Sequence, residues 1–288
     1  MLGLYLILSD VAACMQAIEQ TQGNDTVTVP LRYGRRGGGQ HRRVLRRGLR
    51  LDYAGEEFEQ HDTVIHNGRP LAAQFSLERE GFEFVRAAST VADFFDGAEL
   101  TTVYYAEVEA LIKQRTGAAR VVIFDHTLRS GDDQVREVRQ IREPVTAVHN
   151  DYTDRSAPQR LRDLLPGEAD ALLKRRFQIV QVWRAVQVPA RRSPLALCDA
   201  SSIAAADFLS VELQYEHRVG EIYHIAWNPA QRWYYFPDMQ PDEALVFKVY
   251  ESLTDGRARC TPHGAFEVPA AADVPARQSI EVRAMTFF

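Results

Sequence analysis

The second half of the chain is a succession of short runs separated by turn residues, and this pattern restricts the fold more than anything else in the sequence. FQIVQVWRAVQV, VELQYEHR, GEIYHIAWN, RWYYFPD, LVFKVYES, RARCTPH and SIEVRAMTFF are rich in β-branched and aromatic residues, with Gly, Pro, Asn and Asp between them. Many short strands joined by turns point to an antiparallel sandwich or jelly roll. Helical patterns come first and strands later, which excludes a doubly wound α/β protein. The expectation is a mainly β fold with flanking helices, one domain over 1–288 with a helical first half. No internal repeat, P-loop, GxGxxG or GxSxG sequence occurs.

The first half supplies the helices. ELTTVYYAEVEALIKQRT places Val103, Val108, Leu111 and Ile112 near helical spacing, and Gly117 follows as a C-cap. ARVVIFDHTLR reads as a buried strand over Val121–Phe124. A second helix is expected across APQRLRDLLPGEADALLKRR, broken or kinked at Pro166. Asp242 and Glu243, after Pro241, look like the first turn of a short helix.

Two regions near the N-terminus invite other readings. The apolar run Leu2–Leu8 precedes a small-residue cluster, but it lacks a positive flank and is interrupted by Asp10. It is also shorter than the ~20 residues of a membrane span. A buried segment is expected, and no membrane association. Residues 32–50 carry eight arginines and no acid in a chain of net charge −5. This could form an RNA-binding arm, but no aromatic stacking platform accompanies it. A solvated loop is the expected form, and nucleic acid an unlikely partner. Cys14, Cys198 and Cys260 are too sparse for a disulfide framework, which suggests a reducing, cytoplasmic setting.

The chemistry-bearing pattern is His149-Asn150-Asp151. On a strand, positions i and i+2 share a face. Such a pair serves as a surface contact, a catalytic dyad or half of a metal site. Two histidines and one carboxylate make the facial triad of non-haem Fe(II) oxygenases, whose sequence form is H-x-D, a long gap, then a distal His. Among the other histidines, His126 follows a strand as core or supporting residue, and His217 and His224 sit in adjacent strand-like runs. His263 alone is followed by Arg277-x-Ser279. A guanidinium and a hydroxyl on one strand face suit the distal carboxylate of 2-oxoglutarate. A core histidine at 263 and a surface salt bridge at Arg277 remain open at this point.

The phrases VVIFDHTLR, AVHNDYT, VQVWRAVQ, PLALCDASS, RWYYFPDMQPDEALVFKVYES and CTPHGAFEVP occur in this order. Together they resemble the family of fungal gibberellin desaturase-like proteins, the cephamycin 7α-methoxylation component and fungal meroterpenoid endoperoxide-forming oxygenases. The resemblance covers roughly 81–288, and residues 1–80 are not typical of it. It implies a double-stranded β-helix (jelly-roll) core and an oxygenase using Fe(II), 2-oxoglutarate and O₂. The expected activity is oxidation of an unactivated C–H bond of a small molecule in natural-product metabolism, by hydroxylation or desaturation. Carried over position by position, it implies His149, Asp151 and His263 as metal ligands and Arg277 and Ser279 as cosubstrate residues. Tyr152, Trp183 and Arg184 become substrate-pocket candidates, Tyr152 only if the strand ends at Asp151. Gln231 stands where relatives often carry histidine, and Gly264 where they often carry threonine. A metal-dependent jelly-roll enzyme that does not use 2-oxoglutarate, and a non-catalytic accessory or binding protein, are the other function classes.

Overall fold

The computed structural model describes residues 25–37, 42–44, 57–214, 219–268 and 273–288. The described strands form two sheets. The larger comprises β1 (Thr26–Gly34), β2 (Arg42–Val44), β3 (Phe58–Asn67), β6 (His149–Asn150), β8 (Leu195–Cys198), β9 (Phe208–Gln214), β10 (Val219–Ile225), β11 (Trp233–Tyr235) and β13 (His263–Ala265). Their order is β1-β3-β11-β8-β13-β6-β10-β9-β2. The smaller comprises β4 (Phe82–Arg86), β5 (Arg120–Ser130), β7 (Phe177–Ala185), β12 (Glu243–Glu251) and β14 (Gln278–Phe287), ordered β4-β12-β7-β14-β5. Most pairings are antiparallel, and apart from β9 and β10 the neighbours are strands not consecutive in the chain, as in a jelly roll.

The smaller sheet is buried on both faces, which explains its near-continuous apolar runs. One face packs the main core: Phe177, Ile179, Trp183, Leu245, Phe247 and Met285 meet Leu195 and Leu197 of β8. The other face carries Val180, Val182, Val246, Ile280 and Val282 beneath α1 (Tyr105–Thr116). Val108 and Ile112 of α1 are fully buried there, each contributing about 1.5–3 kcal/mol. The helical stretch is capped by Asp96, which accepts from the amides of Ala98 and Glu99, and ends at Gly117 with φ 71°. That left-handed residue is the expected C-cap.

After α2 (Asp133–Arg139), the next helical stretch is split, as Pro166 required, into α3 (Ser156–Leu164) and α4 (Ala169–Leu172). Two other expectations need correction. The first half is not mainly helical, since β1, β3, β4 and β5 fall in it beside α1 and α2. In β1, alternate residues Val29, Leu31 and Tyr33 are buried, and Pro30 is tolerated because β1 is an edge strand. Asp242 and Glu243 do not begin a helix: Glu243 opens β12, where its backbone pairs with Arg86 and its carboxylate takes both Arg69 nitrogens at 2.7 and 2.9 Å. Strand pairing and a buried ion pair override the local helix signal.

The solvated loop expected over 32–50 is strand in part. Residues 32–34 complete β1 and 42–44 form β2, while 38–41 and 45–56 lie outside the described residues, as do the run Leu2–Leu8, His41 and His217. The larger sheet folds back so that Val148 N–H donates to the Arg32 carbonyl at 2.9 Å. At Gly34 a Cβ would lie 2.9 Å from the His224 Cβ, so the close approach needs glycine.

Candidate metal centre

β6 is only two residues long, lodged between β13 and β10. Its His149 is registered directly opposite His263 of β13. Asp151 lies one residue past the strand end, where the chain bends before Thr153. The Thr153 hydroxyl accepts from the amides of Arg155 and Ser156, tying the bend to the start of α3. The bend leaves Asp151 beside His149, with Nε2 to Oδ1 at 3.4 Å. His149, Asp151 and His263 each offer a ligand atom, and these atoms lie within 4.8 Å of one another.

Both histidines are held in the same tautomer. His149 Nδ1 lies 2.8 Å from the Ala147 carbonyl and His263 Nδ1 2.9 Å from the Thr261 carbonyl. A carbonyl only accepts, so each Nδ1 carries the proton and each Nε2 presents a lone pair. This backbone anchoring is the support that metal-binding histidines use. Burial, reinforced by His149, pushes His263 down to about 4, so its ring is neutral. Burial would raise the Asp151 carboxyl, but Arg283 and then His149 outweigh it and hold the group well below the usual carboxylate range. Two imidazoles and a carboxylate are the donor set of a facial triad, and these residues fit Fe(II).

The chain entering β14 supplies the next polar groups. Arg277 and Ser279 are each 1% exposed and point into the same interior face. Arg277 Nη1 donates to the Ser193 carbonyl, while Arg277 Nε and Ser279 Oγ have no protein partner. The Trp183 ring lies 5.5 Å from the Arg277 guanidinium carbon. Burial, with Arg129 nearby, pushes Arg277 down to about 9. Two orphaned donors on a buried strand face are costly unless an anion completes them. A ligand carboxylate fits them.

A cleft of about 150 Å³ reaches His149 and Asp151, with Tyr152, Thr127, Arg160 and Arg283 in its walls. Tyr152 also borders a larger hollow of about 670 Å³ lined by Tyr223, Tyr250 and Arg259. Because β6 ends at Asn150, Tyr152 is free to face the cleft. Trp183 lies deeper, in the main core. Arg184 is not brought to the site. It lies on the opposite face of β7, above the Tyr104 ring at 5.1 Å, because successive strand residues alternate sides. His126 likewise faces α1, where Nδ1 meets the Tyr105 hydroxyl at 2.6 Å. Gln231 bonds Asp207 and the Ala226 carbonyl, far from metal chemistry.

Sequence reasoning missed Gln181 and Arg283, which both donate to Asp151 Oδ2. A signal was present: Ser279, Glu281 and Arg283 alternate with Ile280, Val282 and Ala284 along β14, and Arg277 continues the same spacing one residue before the strand.

Comparison with known proteins gives the family. The family model described as "Oxidoreductase/YMDC permease-like domain" matches residues 47–287; among the described residues no helix is long and apolar enough to cross a membrane. The chain is 34% identical over 247 residues to hydroxylase/desaturase EfuI of Hormonema carpetanum, covering 78% of this chain and 83% of that protein. It is 33% identical over 237 residues to the Fe(II)/2-oxoglutarate-dependent dioxygenase NvfI of Aspergillus novofumigatus, covering 79% and 83%. The solved structure of the iron and α-ketoglutarate-dependent endoperoxidase NvfI superposes with TM-score 0.80 at 27% identity, over 91% of this chain and 98% of that one. The fold, the matched length and these relatives together place the chain in the family of Fe(II)- and 2-oxoglutarate-dependent oxygenases that includes hydroxylase/desaturases and endoperoxide-forming members.

Proposed function

We propose that this chain oxidises an unactivated C–H bond of a small molecule in natural-product metabolism, by hydroxylation or desaturation, with His149, Asp151 and His263 holding the metal. The observation that carries the reading is the convergence of these three ligand atoms within 4.8 Å, beside a strand face with orphaned donors. Fe(II) bound there would supply O₂ activation coupled to oxidative decarboxylation of 2-oxoglutarate to succinate and CO₂. The protein's part is binding and orientation. Arg277 and Ser279 receive the distal carboxylate of 2-oxoglutarate, the guanidinium by charge and fork geometry and the hydroxyl by donation. Trp183 backs the guanidinium and limits its rotation. The cleft beside Tyr152 receives the substrate, and its buried floor excludes bulk water from the reacting carbon.

The unbridged Cys198 and Cys260 support a reducing, cytoplasmic setting for ferrous iron. The test is anaerobic titration with Fe(II), then 2-oxoglutarate, for the native protein and Asp151→Ala. The expected result is one metal per native chain, none in Asp151→Ala, and succinate formed only with metal and 2-oxoglutarate together. Full iron content in Asp151→Ala removes the ligand assignment. Substrate oxidation independent of 2-oxoglutarate moves the chain to a different metal-dependent chemistry.

A further inference from the structure

The polar row that begins at Arg277, just before β14, continues along the strand through Ser279 to Glu281 and Arg283. Arg283 is buried, and every nitrogen of its guanidinium is engaged. Nε donates to Asp151 Oδ2 at 2.7 Å, Nη2 to Glu281 Oε1 at 2.7 Å, and Nη1 to Asp125 Oδ2 at 3.1 Å and Thr127 Oγ1 at 3.3 Å. Glu281 is itself pinned by Arg129, at 2.8 and 3.3 Å. Gln181 of β7 is registered directly opposite Arg283, and its Nε2 donates to the same Asp151 Oδ2.

The two oxygens of Asp151 are therefore unlike. Oδ2 accepts two donors from adjacent strands, which uses both of its in-plane lone pairs. Oδ1 faces the His149 Nε2. Turning Oδ2 toward the histidines would break a charge-assisted bond to an arginine that three other acceptors hold in place.

We infer that Gln181 and Arg283 are positioning residues that restrict Asp151 to one-oxygen ligation, holding its second oxygen away from the metal. The inference rests on His149, Asp151 and His263 being the ligands. Its chemical consequence is a count of open positions. An octahedral ion held by two imidazoles and one carboxylate oxygen would keep three places, room for a keto acid and O₂. An ion held through both carboxylate oxygens would keep two, and the keto acid would then compete with the protein's own ligand. The polar row thus serves both ends of the cosubstrate. Arg277 and Ser279 receive its distal carboxylate, and Arg283 keeps room for its chelating end.

The test uses Co(II) as the metal, because its electronic absorption reports coordination number without turnover. Native protein, Gln181→Met, Arg283→Met and Arg283→Lys are titrated with Co(II) and then with 2-oxoglutarate. Both methionine variants are expected to bind Co(II) with altered band intensities before the keto acid is added, and to bind 2-oxoglutarate roughly tenfold more weakly. Arg283→Lys, which keeps a charged donor, is expected to fall between them and the native protein. Native spectra and native 2-oxoglutarate affinity in the methionine variants overturn the inference. Should Arg283→Met not fold, Gln181→Met decides alone, since it removes an uncharged donor of similar size. Native protein that takes up no Co(II) overturns the ligand assignment itself, and this is read before any variant is compared.

Discussion

His149 and His263 face each other across β6 and β13, with ring centroids 4.5 Å apart and each Nδ1 anchored to the carbonyl two residues before it. Strand pairing sets their separation and the carbonyls set their tautomer, so both lone pairs are aimed before any ligand arrives. Such preorganisation has a cost in the metal-free protein, because two imidazoles and a carboxylate share a buried site.

That cost has a pH dependence. Burial holds His263 at about 4 in the folded chain, whereas an unfolded histidine titrates near 6.5. The unfolded state therefore binds the proton first, and stability falls as pH drops from about 6.5 to about 4, by up to roughly 3 kcal/mol. Glu281 extends the loss. Burial would raise its carboxyl, but Arg129 and Arg283 hold it at about 2, so its contribution is present above 4.5 and is lost as pH falls toward about 2. Urea unfolding of metal-free protein from pH 7 to 4 should show this decline, and His263→Gln should flatten it between 6.5 and 4. A parallel slope in that variant would assign the decline to other groups.

Arg277 presents the opposite balance, a cation buried with an orphaned Nε and awaiting an anion. Arg277→Met is expected to leave the melting temperature of the metal-free protein unchanged or higher, since it removes an under-partnered buried charge. The same variant should lose the stabilisation that native protein gains from 2-oxoglutarate in the presence of Co(II), while keeping native Co(II) affinity. Thermal melts with and without each ligand check all three statements.

Glu243 is 1% exposed at its side chain and takes a bidentate contact from the half-buried Arg69. Removing the arginine leaves a buried carboxylate with only the Gln240 amide and a distant Arg86. Arg69→Ala should cost about 3 kcal/mol, and Arg69→Ala/Glu243→Gln less than Arg69→Ala alone. Denaturant midpoints of the two proteins decide it.

Two glycines should respond differently to the same added methyl. At Gly34 the new Cβ would sit 2.9 Å from the His224 Cβ, so Gly34→Ala must move one strand against another, at about 1–3 kcal/mol. At Gly264, beside His263, the nearest atom would be Val148 Cα at 3.5 Å, an ordinary contact. Gly264→Ala should keep stability within about 1 kcal/mol and retain metal binding. Equal losses at the two positions would contradict this contrast.

The linear chain by itself determined the strand-rich second half, α1 with its Gly117 cap, the break at Pro166, and the identity of the residues that now meet at the centre. These are readable because periodicity, turn chemistry and residue type are local properties. What only the tertiary structure decided is non-local. β1 and β3 were missed because their strand character depends on partners in a sheet. Asp242 and Glu243 carried a helix signal that Arg86 and Arg69 overrode. Arg184 was adjacent to Trp183 in sequence, yet alternation along β7 sends it to the opposite face. The pairing of His149 with His263, and of Gln181 with Arg283 at the far oxygen of Asp151, follows from register between strands far apart in sequence; the apolar pattern of one strand selects its buried face but does not name its partner.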